Sequence, residues 1–177
     1  MLPLDAEHSL RPVRIGDGAA LARAYSANRE HLAPWEPRRT ADFFTAEWQE
    51  KDARRCVDDA AAGRGVRFVV ESADGAIRGR INLNNIVRGA FRNADLGYWI
   101  DRSYQGRGLA SAGVRLVAEY AASDLQLHRL QAGTLLHNAG SQQVLTRCGF
   151  SRIGIAPRYL QIAGEWQDHV LFQLLLE

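Results

Sequence analysis

Gln105-Gly106-Arg107-Gly108-Leu109-Ala110 lies between an apolar segment, Leu96-Gly97-Tyr98-Trp99-Ile100, and a stretch where Leu109, Gly113, Leu116, Val117 and Tyr120 recur at helical spacing. Two glycines at a strand-to-helix turn free backbone N–H groups to point at one spot. The N-terminus of the following helix adds partial positive charge there. The chemistry on offer is a phosphate cradle made of main chain, although an ordinary tight turn uses the same residues. Exclusion narrows the ligand. A nucleoside-triphosphate loop requires Gly-Lys-Ser/Thr, and the one lysine, Lys51, is far from any glycine-rich turn. A dinucleotide fingerprint requires a third glycine where Ser111 stands, and the acidic residue expected about twenty positions on is missing.

Other residues of suitable type are spread along the chain. Asn138 and Ser141 sit at the start of a short helical stretch, where Asn is a favoured N-cap. Trp35-Glu36 lies between Pro34 and Pro37, in a segment that the two prolines stiffen and keep from being helical. The five histidines contain no pair three to five residues apart, and Cys56 and Cys148 have no metal or redox spacing, so no metal is expected.

Positioning these groups is within reach of one domain, expected over residues 1–177 with about 9–176 structured. A hydrophobic fraction of 46% with 24% charged residues is ordinary for a globular protein, and a net charge of +2 is too small by itself to argue for a nucleic-acid partner, so none is expected. Of the 22 basic residues 21 are arginine, scattered without a run. No charged segment precedes an apolar core at the N-terminus, and no apolar run approaches the length of a membrane span. A cytoplasmic protein with two reduced thiols, monomeric or a homodimer, is the expectation.

The pattern predicts a first strand over 9–14 and a helix opened by Gly16-Asp17-Gly18 that runs to about Asn28. A loop follows over 31–37, then a helix capped by Thr40 or Asp42 that reaches about Ala62. Strands are predicted over 66–71 and 78–87 around a hairpin turn at Ala73-Asp74-Gly75, and over 95–101. A helix over about 109–122, a strand over 130–136 and a helix over 139–148 closed by Gly149 come next. The chain ends in a hairpin, 151–162 and 165–176, around Ala163-Gly164. This order fits an α/β architecture, a mixed sheet flanked by helices, with the glycine loop at the carboxyl end of a central strand.

The Gln105–Ala110 loop fits the Gln/Arg-x-x-Gly-x-Gly/Ala pattern of the GNAT acetyltransferases, and further segments extend the likeness. They are His31-Leu32-x-Pro34-Trp35-Glu36-Pro37, Ile86-Val87-Arg88-Gly89-x-Phe91, Leu96-Gly97-Tyr98, His128-Arg129, His137-Asn138-x-x-Ser141, Gly149-Phe150 and Tyr159-Leu160-x-Ile162-x-Gly164-x-Trp166-x-Asp168-His169. In this collinear order, over about residues 10–175, the chain resembles the RimJ/RimL branch of the GNAT superfamily, and most of all the RimJ ribosomal-protein-alanine N-acetyltransferases. The resemblance implies a GNAT fold with about seven strands in a splayed central sheet and about four helices.

It also implies roles. The strand bearing Tyr98, Trp99 and Ile100 would pair its main chain with the pantetheine arm of acetyl-CoA and hold the thioester oxygen. Gln105, Gly106, Arg107, Gly108, Leu109 and Ala110 would hold the pyrophosphate, and Arg147 would meet coenzyme phosphate or a carboxylate. Asn138 would fix a pantetheine amide, or act as a cap alone. The Ser141 hydroxyl would face the departing sulfur, since the place of the usual tyrosine is Leu145. Two familiar base positions are empty, at Gly133 and Arg158, which leaves Asp168 opposite Tyr159 as the candidate carboxylate. Trp35, Glu36, Asn84, Asn85, Tyr159 and Trp166 would form the acceptor mouth.

The expected activity is acetyl transfer from acetyl-CoA, as cosubstrate, to a primary amine by direct attack. The acceptor would be the α-amino group of an Ala- or Ser-initiated protein such as a ribosomal one. The alternatives are a small-molecule amine (an antibiotic or an amino acid), or a non-enzymatic CoA-binding or ribosome-assembly module.

Overall fold

The computed structural model describes residues 2–176. One sheet holds the strands in the order β1-β2-β3-β4-β5-β6-β8-β7. These are β1 (Leu2–Pro3), β2 (His8–Pro12), β3 (Val66–Ser72), β4 (Ile77–Val87), β5 (Asn93–Ile100), β6 (Arg129–Leu135), β7 (Ser151–Ile162) and β8 (Glu165–Leu175). The helices are α1 (Gly18–Ala27), α2 (Arg29–Leu32), α3 (Ala46–Ala61), α4 (Leu109–Ser123) and α5 (Ala139–Arg147).

Alternation along the strands sorts apolar side chains onto two faces of the sheet. Phe68, Val70, Ile81, Leu83, Leu96 and Ile100 pack with Val114, Val117 and Ala121 of α4 and Leu145 of α5. Val69 and Trp99, one position out of phase, pack on the other face with Leu21 and Tyr25 of α1 and Ala53 and Cys56 of α3. Each such fully buried side chain is worth about 1.5–3 kcal/mol. Helix α4 lies so close to β4 that a Cβ on Gly113 would come within 2.2 Å of Ile81 Cδ1.

Every pairing in the sheet is antiparallel except β5 with β6. That parallel ladder runs only from Asn93↔Arg129 to Asp95↔Gln131. Beyond it β5 continues against β4 as far as Gly79↔Ile100, and β6 against β8 as far as Leu135↔His169. The two central strands therefore diverge. Main-chain groups of Leu96–Ile100 on the β6 side have no strand partner, and a Cβ on Gly97 would meet nothing within 4 Å. The splay opens between the two helical layers.

Several local expectations are corrected. Residues 29–32 form a helical turn, so the loop begins at Ala33. The helix expected from Thr40 or Asp42 is two pieces, a 3-10 turn (Ala41–Phe44) and then α3. Its cap is Thr45, whose side chain accepts from Trp48 N, because Thr45 is extended and breaks the helix there. The first strand is His8–Pro12, and the short β1 adds an eighth strand to the seven expected. The end of α5 follows expectation. Gly149 (φ +85°) lets Phe150 N bond Leu145 O and Gly149 N bond Thr146 O, the paired pattern of a left-handed helix stop.

Candidate active site

Two cavities meet at the splay. One, of about 580 Å³, lies on the side of α4 and α5 and is lined by Tyr98–Ile100, Gln105, Gly106, Gly108–Ser111, Asn138–Ser141 and Arg147. The other, of about 470 Å³, lies on the side of α1 and α3 and is lined by residues including Asp52, Arg80, Asn82, Asn84, Gly97, Gly133, Thr134, Leu135, Leu160 and His169. Trp35, Glu36, Tyr98, Trp99, Asn138 and Ser141 belong to both.

The glycine loop has the backbone that a cradle needs. Gly106 (φ +73°) and Gly108 (φ +83°) are left-handed, and a Cβ on either would project into open space. Gly108 is the N-cap of α4, with no capping side chain and no acidic residue in the first turn. The first amides of α4 thus face outward with the positive end of the helix dipole behind them. Gln105 Nε2 lies 2.9 Å from His31 Nε2, which ties the loop to α2. Arg107 is not in the lining; its guanidinium is drawn over the Tyr104 ring, 5.0 Å from the centroid.

At the junction Asn138 caps α5, its Oδ1 accepting from Ser141 N at 3.1 Å. Its Nδ2 makes no hydrogen bond among the described residues and is free to donate. The Ser141 hydroxyl is not alone. Tyr98 Oη lies 2.8 Å from Ser141 Oγ and 3.1 Å from the Ser141 carbonyl oxygen. Burial pushes the Tyr98 phenol up to about 12, against the smaller opposing effect of the Ser141 bond. It stays protonated at neutral pH, and when it donates to Ser141 Oγ the serine proton is released toward the cavity. Sequence reasoning valued Tyr98 only for its main chain; residues 43 apart carry no local sign of this pairing.

Over the second cavity the Trp35–Glu36 segment is fastened to the tip of the closing hairpin. Ala163 N donates to Glu36 O at 3.0 Å, and Arg38 Nε donates to Ala163 O at 2.9 Å. The Trp35 ring lies 5.4 Å from that of His137. Burial pushes the Glu36 carboxyl above its ordinary value, with Arg39 3.4 Å away opposing the shift. Deeper in, Arg80 Nη1 lies 3.2 Å from Asp52 Oδ2 and 3.4 Å from Tyr25 Oη. Burial alone pushes Asp52 up, but Arg80 and Arg55 outweigh it and hold the carboxyl below the usual range.

Five of the expected residues fall outside both linings: Arg107, described above, and Asn85, Asp168, Tyr159 and Trp166. Asn85 sits where the β4–β5 ladder breaks, with φ +51°, and its amide donates to Asp95 Oδ2 at 2.8 Å. Asp168 is exposed and accepts from Arg158 N at 2.9 Å, pinning the irregularity between Ala156 and Leu160 in the closing hairpin. Tyr159, next to that irregularity, is 44% exposed, and its ring tilts against His169 at 5.7 Å. Trp166, at 63% exposure, also faces outward, whereas Asn84 lines the second cavity. Leu145 is fully buried, as core. Among the described residues no cluster of three or more metal-ligating side chains occurs, and no helix is long and apolar enough to cross a membrane.

Comparison with known proteins agrees with this arrangement. The acetyltransferase (GNAT) domain family matches residues 9–151. The [ribosomal protein uS5]-alanine N-acetyltransferase of Escherichia coli (strain K12) is 35% identical over 93% of this chain and 86% of its own. The solved ribosomal-protein-S5-alanine acetyltransferase of Vibrio fischeri superposes with a TM-score of 0.93 at 31% identity, covering 98% of both chains. Mycobacterium smegmatis RimJ, solved in complex with CoA-disulfide, superposes with a TM-score of 0.89 at 34% identity, over 95% of this chain and 81% of its own. The two-cavity sheet, the glycine loop and these likenesses lead to one conclusion: the chain belongs to the GNAT acetyltransferase family and is an enzyme that transfers acetyl groups.

Proposed function

We propose that this chain transfers the acetyl group of acetyl-CoA to the N-terminal α-amino group of a protein, in the class of Ala- or Ser-initiated ribosomal proteins. The observation that carries this reading is the meeting of the two cavities at Tyr98, Asn138 and Ser141. The likeness to the E. coli uS5-alanine enzyme supports the choice of acceptor.

Coenzyme phosphates bind the amides of Gln105–Ala110, with Arg147 beside them. Pantetheine lies against the unpaired edge of Leu96–Ile100, and Asn138 Nδ2 donates to one of its amides. A main-chain N–H of that edge receives the thioester oxygen as it becomes negative. The acceptor enters past Trp35 and Glu36, whose carboxylate attracts the cationic amine. The amine attacks the carbonyl carbon directly, and Ser141, backed by Tyr98, gives a proton to the leaving thiolate. Most of the acceleration comes from placing two reactants across one gap.

Thiol release with a panel of acceptors tests the reading. Turnover of an Ala- or Ser-initiated peptide is expected. Turnover confined to small amines or internal lysines overturns the acceptor, and coenzyme binding with no turnover overturns the activity. In a folded Gly108→Asp variant acetyl-CoA affinity should fall more than about tenfold by calorimetry, since a carboxylate in strained left-handed backbone would stand where phosphate binds. Unchanged affinity removes the loop from coenzyme binding.

Glu36→Gln should raise KM for a peptide amine about three- to tenfold, a loss near 1 kcal/mol, and leave acetyl-CoA affinity unchanged. Because burial raises the Glu36 pKa, the carboxylate is lost on acidification sooner than an ordinary glutamate would lose it. The wild-type KM should therefore climb as pH falls and converge on that of Glu36→Gln. Parallel pH profiles would deny Glu36 the amine.

A further inference from the structure

We infer that His169 is the general base that takes the first proton from the acceptor's ammonium group, a step that rests on the acetyl-transfer reading above and gives it the base it lacks. His169 is on β8, directly opposite Leu135 of β6, and only 3% of it is exposed. What it faces is the second cavity, the one that meets the first at Tyr98, Asn138 and Ser141. Gly133 makes the room. A Cβ there would already come to 3.6 Å from His169 Cδ2, and any longer side chain would compete for the imidazole's space.

The hydrogen bonding fixes the proton. His169 Nδ1 lies 2.9 Å from the carbonyl oxygen of Gln167, which can only accept, so Nδ1 carries the hydrogen in the neutral ring. The lone pair is then on Nε2. That atom has no partner among the described residues, and it is not one of the sealed, unsatisfied buried atoms. A buried imidazole with an assigned tautomer and an open acceptor nitrogen is what proton abstraction requires.

The other titratable and charged groups of this cavity each have a charged or hydrogen-bonding partner in the fold. Glu36 pairs with Arg39, and Asp52 with Arg80 and Arg55. Arg67 pairs with Asp59, and on the histidine's own strand Asp168 is turned outward to Arg158 N. Tyr159 contributes a ring edge against the imidazole, and Tyr25 binds Arg80 and Trp99 Nε1. The carboxylates shape the field; the imidazole has the free lone pair.

The step balances. One ammonium N–H bond breaks and an N–H bond forms at His169 Nε2, leaving a neutral amine. Its lone pair forms the C–N bond, and the carbonyl π pair moves to oxygen. That pair returns as the C–S bond breaks. Of the three ammonium protons one passes from Nε2 to water, one is lost as the tetrahedral adduct becomes amide and matches the proton taken up by sulfur, and one stays on the amide nitrogen.

The test uses His169→Asn, whose Nδ2 stands where Nδ1 does and can keep the donor toward Gln167 while the base is lost. At pH 7 an α-amine, with a pKa near 8, is mostly protonated, and kcat should fall about ten- to a hundredfold. At pH 9.5 the amine is already neutral and the deficit should shrink to within about threefold, with acetyl-CoA affinity unchanged throughout. An equal deficit at both pH values, or a wild-type kcat at pH 7, overturns the assignment. If the wild type acetylates no peptide, the acceptor reading alone falls. The same pH comparison with an amino-acid amide that it does acetylate still decides for or against His169. Should the variant fail to fold, nitrogen NMR of the wild-type imidazole decides: a neutral ring protonated at Nδ1 is expected, and one protonated at Nε2 overturns the proposal.

Discussion

Ser141→Ala should lower kcat by roughly ten- to a thousandfold while acetyl-CoA binds as before. In the mechanism proposed above the hydroxyl is the proton donor at the cavity junction, and alanine removes it while leaving the Tyr98 phenol one side chain further back. Tyr98→Phe should lower kcat less, by about three- to thirtyfold, because serine keeps its own proton and loses only the phenol behind it. The double variant should be no worse than about the serine variant alone, since the phenol acts through the serine. Single-turnover measurements, in which chemistry rather than product release is observed, check all three. A Ser141→Ala enzyme with the wild-type rate would reduce Ser141 to a residue in the first turn of α5. A fully additive double variant would mean that Tyr98 acts on its own.

Arg80→Met should destabilise the protein by about 3–5 kcal/mol at neutral pH. Arg80 and Asp52 are both buried, with side-chain exposures of 5% and 8%. Removing the guanidinium leaves Asp52 with Arg55 alone, and takes a partner from Tyr25. The sign with pH follows from the carboxylate. In the wild type the Asp52 pKa is depressed, so its contribution is present above the unfolded carboxylate range and lost as pH falls through the folded value. In the variant burial is opposed by Arg55 alone, the pKa rises, and the penalty is greatest above that raised value and relieved by acid. Denaturant melts at pH 7 and pH 4.5 should give a smaller deficit at the lower pH. Adding Asp52→Asn should recover a large part of the loss at pH 7. A deficit that neither acid nor Asp52→Asn changes would mean that lost packing, rather than an unpaired charge, is the cause.

The Arg80 pair also bears on how the two layers cooperate. It joins β4 to α3 at the second cavity, next to the Tyr25–Trp99 contact, where the ring centroids are 5.0 Å apart. A change there reaches both stability and the lining of that cavity. Substitutions in the exposed hairpin, at Trp166 for example, should touch neither.

What the sequence determined by itself was local and periodic. The strand patterns over 66–71, 78–87 and 95–101, helical spacing over about 109–122, and the turn residues Gly149 and Ala163-Gly164 are short-range facts, and elements form within a residue or two of those bounds. The left-handed glycine turn before α4, proposed above as the phosphate cradle, was legible for the same reason, since it is made by six consecutive residues. Even Asn138 as a cap needed only three residues of context. Where the sequence missed locally, at Thr45 and α2, the neighbouring Phe43 and α2's own Leu32 are buried in the second core cluster, a long-range fact.

Only the tertiary structure decided which side chains share the reaction space. Tyr98 reaches Ser141 because β5 and β6 part after Asp95, and the divergence of two strands is written in neither one alone. His169 enters the second cavity, while its neighbour Asp168 turns outward, because one residue along a strand changes the face of the sheet. The carboxylate that looked chemically suitable in the sequence is on the wrong face. Burial raises the Glu36 pKa, and its loop is held by a hairpin 127 positions away in the chain, whose Ala163 N bonds its carbonyl. Residue type and spacing carry what backbone within a few residues can do. Proton transfer depends on distances of about 3 Å between residues far apart in sequence, and packing alone sets those.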